Sequence, residues 1–345
     1  MEQLLEIKNL RVQFKTERAV SNALNGVTLS IGRGESLGLV GETGAGKTTT
    51  ALSILRLLPD SAHVLDGSIT FDGQTVFDMT GTQDVKSDKA RKDLMKKRGV
   101  SEREMRKMRG NKIAMVFQNP LTALNPVFTV GEQIAMVLRV HRGMGRREAM
   151  EYAGKLLEQV GIASYRVKDY PGQFSGGMRQ RVGIAAGIAC NPELLIADEP
   201  TTALDVTIQA QILELMKELQ TKHKTSLLMI THNLGIISEL CQKVAVMYGG
   251  QIIEYGTVKA VFSSPQHPYT RGLLGALPNL EGNRDRLVAI PGKIADPQNL
   301  PEGCYFNPRC EQKCARCGHE QPEMIRLSDD HYVACFCAEG RTQND

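Results

Sequence analysis

The chain reads as an α/β protein built on a buried parallel sheet, and three observations carry that reading. The first is a glycine-rich turn, Gly41-Glu-Thr-Gly-Ala-Gly46-Lys47-Thr48, entered from the apolar run Ser36-Leu-Gly-Leu-Val40 and followed by an expected helix from Thr48 to Leu58. The second is a set of continuous apolar runs, Leu194-Leu-Ile-Ala197, Ser226-Leu-Leu-Met-Ile230 and Lys243-Val-Ala-Val-Met247, typical of strands covered on both faces. The third is a stretch from Pro126 to Ala189 in which Val130 to His141, Arg146 to Val160 and Gly177 to Ala189 carry apolar residues at three- and four-residue spacing. It predicts a helical insert between two halves of the sheet.

Ahead of the turn, Leu4 to Phe14 alternates in the manner of a strand, breaks at Glu17-Arg18 and resumes at Val27-Thr-Leu-Ser-Ile31. Gly67-Ser-Ile-Thr-Phe-Asp-Gly73 adds another strand bounded by turns. From Met79 to Gly110 the chain turns polar, with eleven Lys or Arg against five Asp or Glu. The basic segment 86–109 is expected to be a solvated helical hairpin or mobile loop rather than a binding surface. Beyond Gly256 the prolines Pro265, Pro268, Pro278, Pro291 and Pro301 make regular structure sparse. The expected division is 1–255, with the helical insert at about 119–190, and a small irregular extension over 256–345.

Composition limits the partners. The 345 residues suffice for a large core, and 41% hydrophobic content is ordinary for a soluble protein. No run approaches the roughly 20 apolar residues that span a bilayer, and Met-Glu-Gln-Leu-Leu-Glu-Ile-Lys lacks the blocks of a signal peptide, so a cytosolic chain is expected. A formal charge of +4 is too small and dispersed to argue for nucleic acid. Of eight cysteines, six lie between Cys304 and Cys337, and in the cytosol metal or cluster ligation comes before disulfides.

The glycine turn fits the P-loop pattern G-x-x-x-x-G-K-S/T, whose backbone N–H groups wrap phosphates at a helix N-terminus. Gly41, Thr43, Gly44, Ala45, Gly46, Lys47, Thr48 and Thr49 are its candidate ATP-binding residues. Lys47 would reach the β and γ phosphates, and Thr48 would hold Mg2+. Asp198 and Glu199 end a hydrophobic run, where a carboxylate pair either caps the next helix or serves the metal and the attacking water. Gln118, in Val116-Phe-Gln-Asn-Pro120, lies between the P-loop and the helical insert. His232 follows a buried strand. Ser175, Gly176 and Gly177 open a helix and make a second anion site that one phosphate tail does not need.

These strings, with Phe174-Ser175-Gly176-Gly177-Met178 in this order, resemble the ABC ATPases. The resemblance implies a P-loop nucleotide-binding domain with a RecA-like parallel core, an antiparallel β subdomain and a helical subdomain. It implies that Asp198 orients Mg2+ with Thr48 and Gln118, that Glu199 polarises the attacking water, and that His232 contacts the γ-phosphate. The family also solves the puzzle of the second anion site. Two domains meet head to tail, so Ser175, Gly176 and Gly177 cover ATP held by the other P-loop, and Ala203-Leu204-Asp205 runs along that interface. Phe14 stands where the family stacks an aromatic on adenine; the other reading of Phe14 is an inward strand residue. Phe174 and Met178 depart from the common Leu and Gln. With Lys47, Asp198, Glu199 and His232 intact, a hydrolysing subunit is expected.

The tail spacing, Cys304-x5-Cys310-x3-Cys314-x2-Cys317 and then Cys335-x-Cys337, suits zinc or an iron–sulfur cluster. His267-Pro-Tyr-Thr-Arg-Gly-Leu-Leu and Gly303-Cys-Tyr-Phe-Asn-Pro-Arg-Cys310 resemble the C-terminal extension of dipeptide and oligopeptide importer ATPases. In the dipeptide branch that extension carries a 4Fe-4S cluster, and Cys304, Cys310, Cys317 and Cys335 match its ligands; Zn is the rival, and Cys314 and Cys337 are extra. Cys190 and Cys241 fit core positions. The resemblance further implies a second, related ATPase subunit, two transmembrane permeases, an extracytoplasmic substrate-binding protein, and a place on the cytoplasmic face of the cell membrane. A nickel or other small-solute importer would share the motifs. A soluble ABC ATPase acting on nucleic acid or ribosomes has only the basic segment in its favour, and a metal-sensing regulatory subunit only the cysteines.

Overall fold

A computed structural model of the protein describes every residue except Met1, Arg18, Lys86, 120–122, Ala203, 277–289 and 340–345. Arg18, Pro120, Ala203 and Pro278, named above, and the first residue of the basic segment 86–109 therefore lie outside the described residues. The chain divides into two compact units.

One unit comprises Leu4–Ser30, Leu37–Val100 and His232–Asp345. Its antiparallel sheet joins β1 (Gln3–Lys15), β2 (Val20–Gly32), β4 (Ala62–Phe71) and β5 (Gln74–Asp78) in the order β2-β1-β4-β5. Strand β1 runs against β4 from Leu5 opposite Phe71 to Phe14 opposite Ala62, with a register shift between Lys8 and Arg11. Asn9, at φ 46°, makes that bulge, a conformation its short polar side chain tolerates. The shift lets Leu4, Leu5, Ile7, Leu10 and Val12 all reach the core.

The same unit holds β3 (Ser36–Val40), parallel to β9 (Lys243–Tyr248), which pairs antiparallel with β10 (Gln251–Thr257). The stretch after Gly256, expected to be irregular, adds order. Strands β12 (His331–Val333) and β11 (Ile325–Ser328) continue the sheet from β10, with Glu254 opposite Val333. Gly256 sits inside β10, where a Cβ would come within 2.3 Å of the Asp330 carbonyl oxygen. Only glycine permits that approach. Helices α1 (Lys47–Ile54), α2 (Asp88–Lys97), α8 (Leu234–Leu240), α9 (Val258–Ser263), α10 (Pro268–Gly275) and α11 (Phe336–Glu339) complete the unit. Helix α2, from the basic segment, is held to β4 by Arg91, only 8% exposed, which donates to the carbonyls of Val64, Leu65 and Gln83.

The other unit comprises Met1–Gln3, Ile31–Ser36 and Ser101–Thr231. Strands β6 (Ile113–Val116), β7 (Leu194–Asp198) and β8 (Ser226–Ile230) are parallel, with Met115 beside Ile196 and Ile196 beside Leu228. Every residue of β7 and β8 is buried, as their unbroken apolar runs predict. Helices α4 (Val130–Arg142), α5 (Arg146–Gln159) and α6 (Gly176–Ile188) fill the connection from β6 to β7, and α3 (Glu102–Met108) and α7 (Val206–His223) flank the set. The helical insert thus leaves one strand and returns to its immediate neighbour, instead of parting two halves of a sheet. Helix α4 is capped by the Thr129 hydroxyl, which accepts the Glu132 N–H, and stops at Gly143, φ 66°. Val130, Ile134 and Leu138 form its buried stripe. No helix among the described residues is long and apolar enough to cross a membrane.

Candidate nucleotide site

Helix α1 begins at Lys47, and its N-cap Gly46 takes the left-handed φ of 103°, with its missing Cβ position 2.7 Å from the Ala23 carbonyl oxygen. No side chain caps this helix and no acid occupies its first turn, so the positive end of its dipole faces the loop. The helix stops at Ile54, short of Leu58, because Arg56 turns to φ 50° and Leu58 precedes Pro59. The Lys47 ammonium is buried and donates to the carbonyls of Gly41 (2.7 Å) and Glu42 (3.0 Å). Thr43, Gly44 and Thr48 are exposed, Gly46 and Thr49 half-buried and Ala45 buried, so the loop's rim is open to a ligand while its floor packs.

Glu42 carries a feature that motif reading passes over. Its backbone N–H donates to the Tyr269 hydroxyl at 2.8 Å, and its carboxylate receives both terminal nitrogens of Arg309, at 2.7 and 3.0 Å. Tyr269 and Arg309 belong to the His267-Pro-Tyr and Asn307-Pro-Arg strings, whose resemblance is legible but whose contact with the P-loop is not.

In the other unit, strand register builds the carboxylate end. Val116 lies beside Ala197 in the parallel pair β6–β7, so two residues further on Gln118 comes alongside Glu199. The Gln118 amide donates to a Glu199 carboxylate oxygen at 3.0 Å, and the Thr202 hydroxyl donates to the same oxygen at 3.0 Å. Glu199 holds a left-handed backbone, φ 46°, secured by its N–H donating to the Ile230 carbonyl at 2.8 Å. A non-glycine residue in that region is a strained placement of the kind found at functional sites. Asp198, 2% exposed, ends β7. His232 is exposed and belongs to the unit that holds the P-loop.

Ser175 is the N-cap of α6, its hydroxyl accepting the Met178 N–H at 3.3 Å, and Ser175 and Gly176 are exposed with Gly177 half-buried. The residues that depart from the common signature share one partner. The Arg166 guanidinium lies 4.2 Å from the centre of the buried Phe174 ring, donates to the Met178 sulfur at 3.7 Å and pairs with Asp169 at 2.8 Å. Gln180, buried on α6, donates to the Phe117 carbonyl at 3.2 Å. Asp205 caps α7 by accepting the Ile208 N–H at 3.0 Å. Phe14 is half-buried on β1.

The donors suit the expected ions to different degrees. Thr48, Gln118 and Asp198 offer the hard oxygens that magnesium prefers. The tail thiols offer soft sulfur. Cys314 and Cys317 have sulfurs 3.4 Å apart, and Cys304 lies within electrostatic reach of Cys310, Cys314, Cys317 and Cys335. Burial pushes the thiols of Cys304 and Cys310 up, Cys317 to about 11 and Cys335 to about 12, so all four hold protons that a metal would displace. Cys337 donates instead to the Gln312 carbonyl at 2.9 Å. Among the described residues no three His, Cys, Asp or Glu side chains form a finished metal shell. Thiols are soft donors of the kind an iron–sulfur cluster or zinc takes, but the described residues bring together no group that could hold such a metal.

Comparison with known proteins adds the rest. The family described as ABC transporter matches residues 24–202, and the one described as oligopeptide/dipeptide transporter, C-terminal region, matches 253–317. The chain is 46% identical to the oligopeptide transport ATP-binding protein AppD of Bacillus subtilis, over 98% of each chain. It is 44% identical to the dipeptide transport ATP-binding protein DppD of the same organism, over 100% of this chain and 97% of that one. A dimeric ATP-binding cassette in a post-hydrolysis state with ADP and Pi superposes with a TM-score of 0.62 at 26% identity, covering 74% of this chain and 98% of that one. The chain belongs to the ABC transporter family, as an ATPase with that family's cassette fold.

Proposed function

We propose that this chain is the ATP-hydrolysing subunit of a peptide importer. The observation that carries the catalytic part is Glu199, strained at φ 46° beyond a fully buried strand and tied to Gln118. The cargo class rests on the oligopeptide and dipeptide transport proteins to which the chain is similar over its length.

ATP binds at residues 41–49, with Phe14 on the adenine. Its phosphates meet the N-terminus of α1, and Lys47 exchanges the Gly41 and Glu42 carbonyls for phosphate oxygens. Glu199 and Gln118 hold the attacking water, Glu199 drawing on its proton, while His232 donates to the γ-phosphate. Thr48, Asp198 and Gln118 would hold Mg2+, which supplies charge neutralisation on the transferring phosphoryl group. Ser175, Gly176, Gly177 and Asp205 face the ATP of a second, related cassette, so closure needs both subunits. Two permeases in the membrane take up the motion at the cytoplasmic face, and an extracytoplasmic binding protein delivers the peptide. Cys304, Cys310, Cys317 and Cys335 would hold a 4Fe-4S cluster that ties down the extension, which is the segment 256–345 following the nucleotide domain 1–255. A preparation made without oxygen would then contain about four iron and four sulfide per chain, whereas zinc alone would overturn the cluster.

The test of the ATPase reading is Glu199→Gln in the assembled transporter. Hydrolysis and peptide uptake should fall together by roughly 10²–10⁴-fold while ATP still binds. Hydrolysis at the parent rate would overturn the assignment of Glu199, and parent hydrolysis with no peptide-stimulated uptake in the unaltered transporter would overturn the cargo.

A further inference from the structure

Glu42 is an anion built into a loop shaped for anions. A carboxylate beside a cradle for a triphosphate opposes binding unless its charge is cancelled. Arg309 cancels it. The Arg309 side chain is 3% exposed and that of Glu42 23%. All five guanidinium N–H groups are spent: Nε on the Pro291 carbonyl (2.9 Å), Nη1 on Glu42 Oε2 (2.7 Å) and the Tyr248 hydroxyl (3.4 Å), Nη2 on Glu42 Oε1 (3.0 Å) and the Ile290 carbonyl (3.2 Å). The fork is also clamped between aromatic faces, 5.8 Å from the ring centres of both Tyr248 and Phe306. Tyr269, whose hydroxyl takes the Glu42 N–H, packs on Tyr248 at 4.7 Å and on Phe306 at 5.5 Å.

Glu42 is thus held at its amide by Tyr269, at its carboxylate by Arg309 and at its carbonyl by Lys47. Two of these three partners come from the segment after Gly256. We propose that Arg309 is a positioning residue for the ATP site, one that neutralises Glu42 and fixes the first turn of the P-loop, so that the C-terminal segment is a working part of nucleotide binding. The inference rests on the proposed ATP site at residues 41–49.

The experiment measures equilibrium binding of a fluorescent ATP analogue to the full chain carrying Arg309→Met, Arg309→Lys, Glu42→Gln, or Glu42→Gln with Arg309→Met. Removing Arg309 leaves a bare carboxylate and should weaken binding about ten-fold or more at low salt, with a smaller defect near 1 M salt, where the screening length is about 3 Å. Arg309→Lys should recover only part, since an ammonium cannot make the paired contact. Glu42→Gln alone should bind ATP more tightly than the parent, and the double variant should regain most of what Arg309→Met loses. A purely structural strut predicts the reverse: Glu42→Gln weaker than the parent and the double variant no better than Arg309→Met. Either result would overturn the inference, and Glu42→Gln decides the matter even if Arg309→Met does not fold. Lys47→Ala separates the two levels. If it retains full binding, the ATP site itself is misplaced, whereas loss of binding there with an indifferent Arg309 overturns the Arg309 proposal alone.

Discussion

The side-chain amide of Gln180 donates to the backbone carbonyl of Phe117, joining the signature helix α6 to the residue directly before Gln118. The bond is part-buried and joins residues 63 apart in sequence, so a change at the start of α6 has a short route to the groups around Glu199.

Gln180→Leu tests that route. The Phe117 carbonyl is partly open to water, so losing its donor should cost about 1 kcal/mol of stability. A denaturant midpoint reads the cost, and the transporter should also hydrolyse ATP more slowly at unchanged ATP affinity. Affinity and rate falling together would show that the bond does not serve communication.

Gln118→Ala removes a side-chain donor to Glu199 Oε2, an oxygen it shares with the Thr202 hydroxyl. Hydrolysis should drop by roughly 10–100-fold, the loss expected for one positioned polar group, with binding of ATP within about two-fold of the parent. Single-turnover kinetics in the assembled transporter separates the two effects.

Arg166 contacts both residues at which the signature departs from the common Leu and Gln, one planar cation serving the Phe174 ring, the Met178 sulfur and Asp169. Arg166→Ala should weaken ATP-driven pairing of the two cassettes more than ATP binding by either. Arg166→Lys should fail to restore it, since a point charge cannot stack on Phe174 and pair with Asp169 together. Light scattering with ATP and the hydrolysis-dead Glu199→Gln background provides the measurement.

His267 supplies a pH dependence with a defined sign. It is fully buried, caps α10 by accepting the Tyr269 N–H at 3.0 Å, and lies among Glu254, Arg271 and Phe306; burial pushes its ring down to about 4. Between that value and the ordinary 6.5, the unfolded chain binds the proton and the folded chain does not. Stability is therefore complete above about pH 6.5 and falls as the pH drops toward 4, by about 3 kcal/mol in all at about 1.4 kcal/mol per pH unit. His267→Asn keeps a capping acceptor and should flatten this acid limb in urea titrations run across that range.

Much of the site is legible in the sequence because its parts are local. The helices of the insert start and stop within a residue or two of their apolar periods, and β3, β7, β8 and β9 coincide with unbroken apolar runs. The meeting of Gln118 with Glu199 is not local. It follows from the pairing of Val116 with Ala197, which no spacing reveals. Arg309 is hidden for the same reason: it is separated from Glu42 by most of the chain, and its neighbour Cys310 draws attention to metal chemistry. The order after Gly256 escapes notice because β11 and β12 are too short to show a period, and they form by adding to an edge that β10 already presents.

The return of the chain from β6 to its own neighbour β7 gives the helical insert the architecture of a cartridge. A segment that departs and re-enters at adjacent points can lengthen, shorten or change its outer surface without altering the strand register that sets Gln118 against Glu199. The outer faces of α4 and α5 can therefore be exchanged while the frame beneath them, with Gln118 set against Glu199, stays constant.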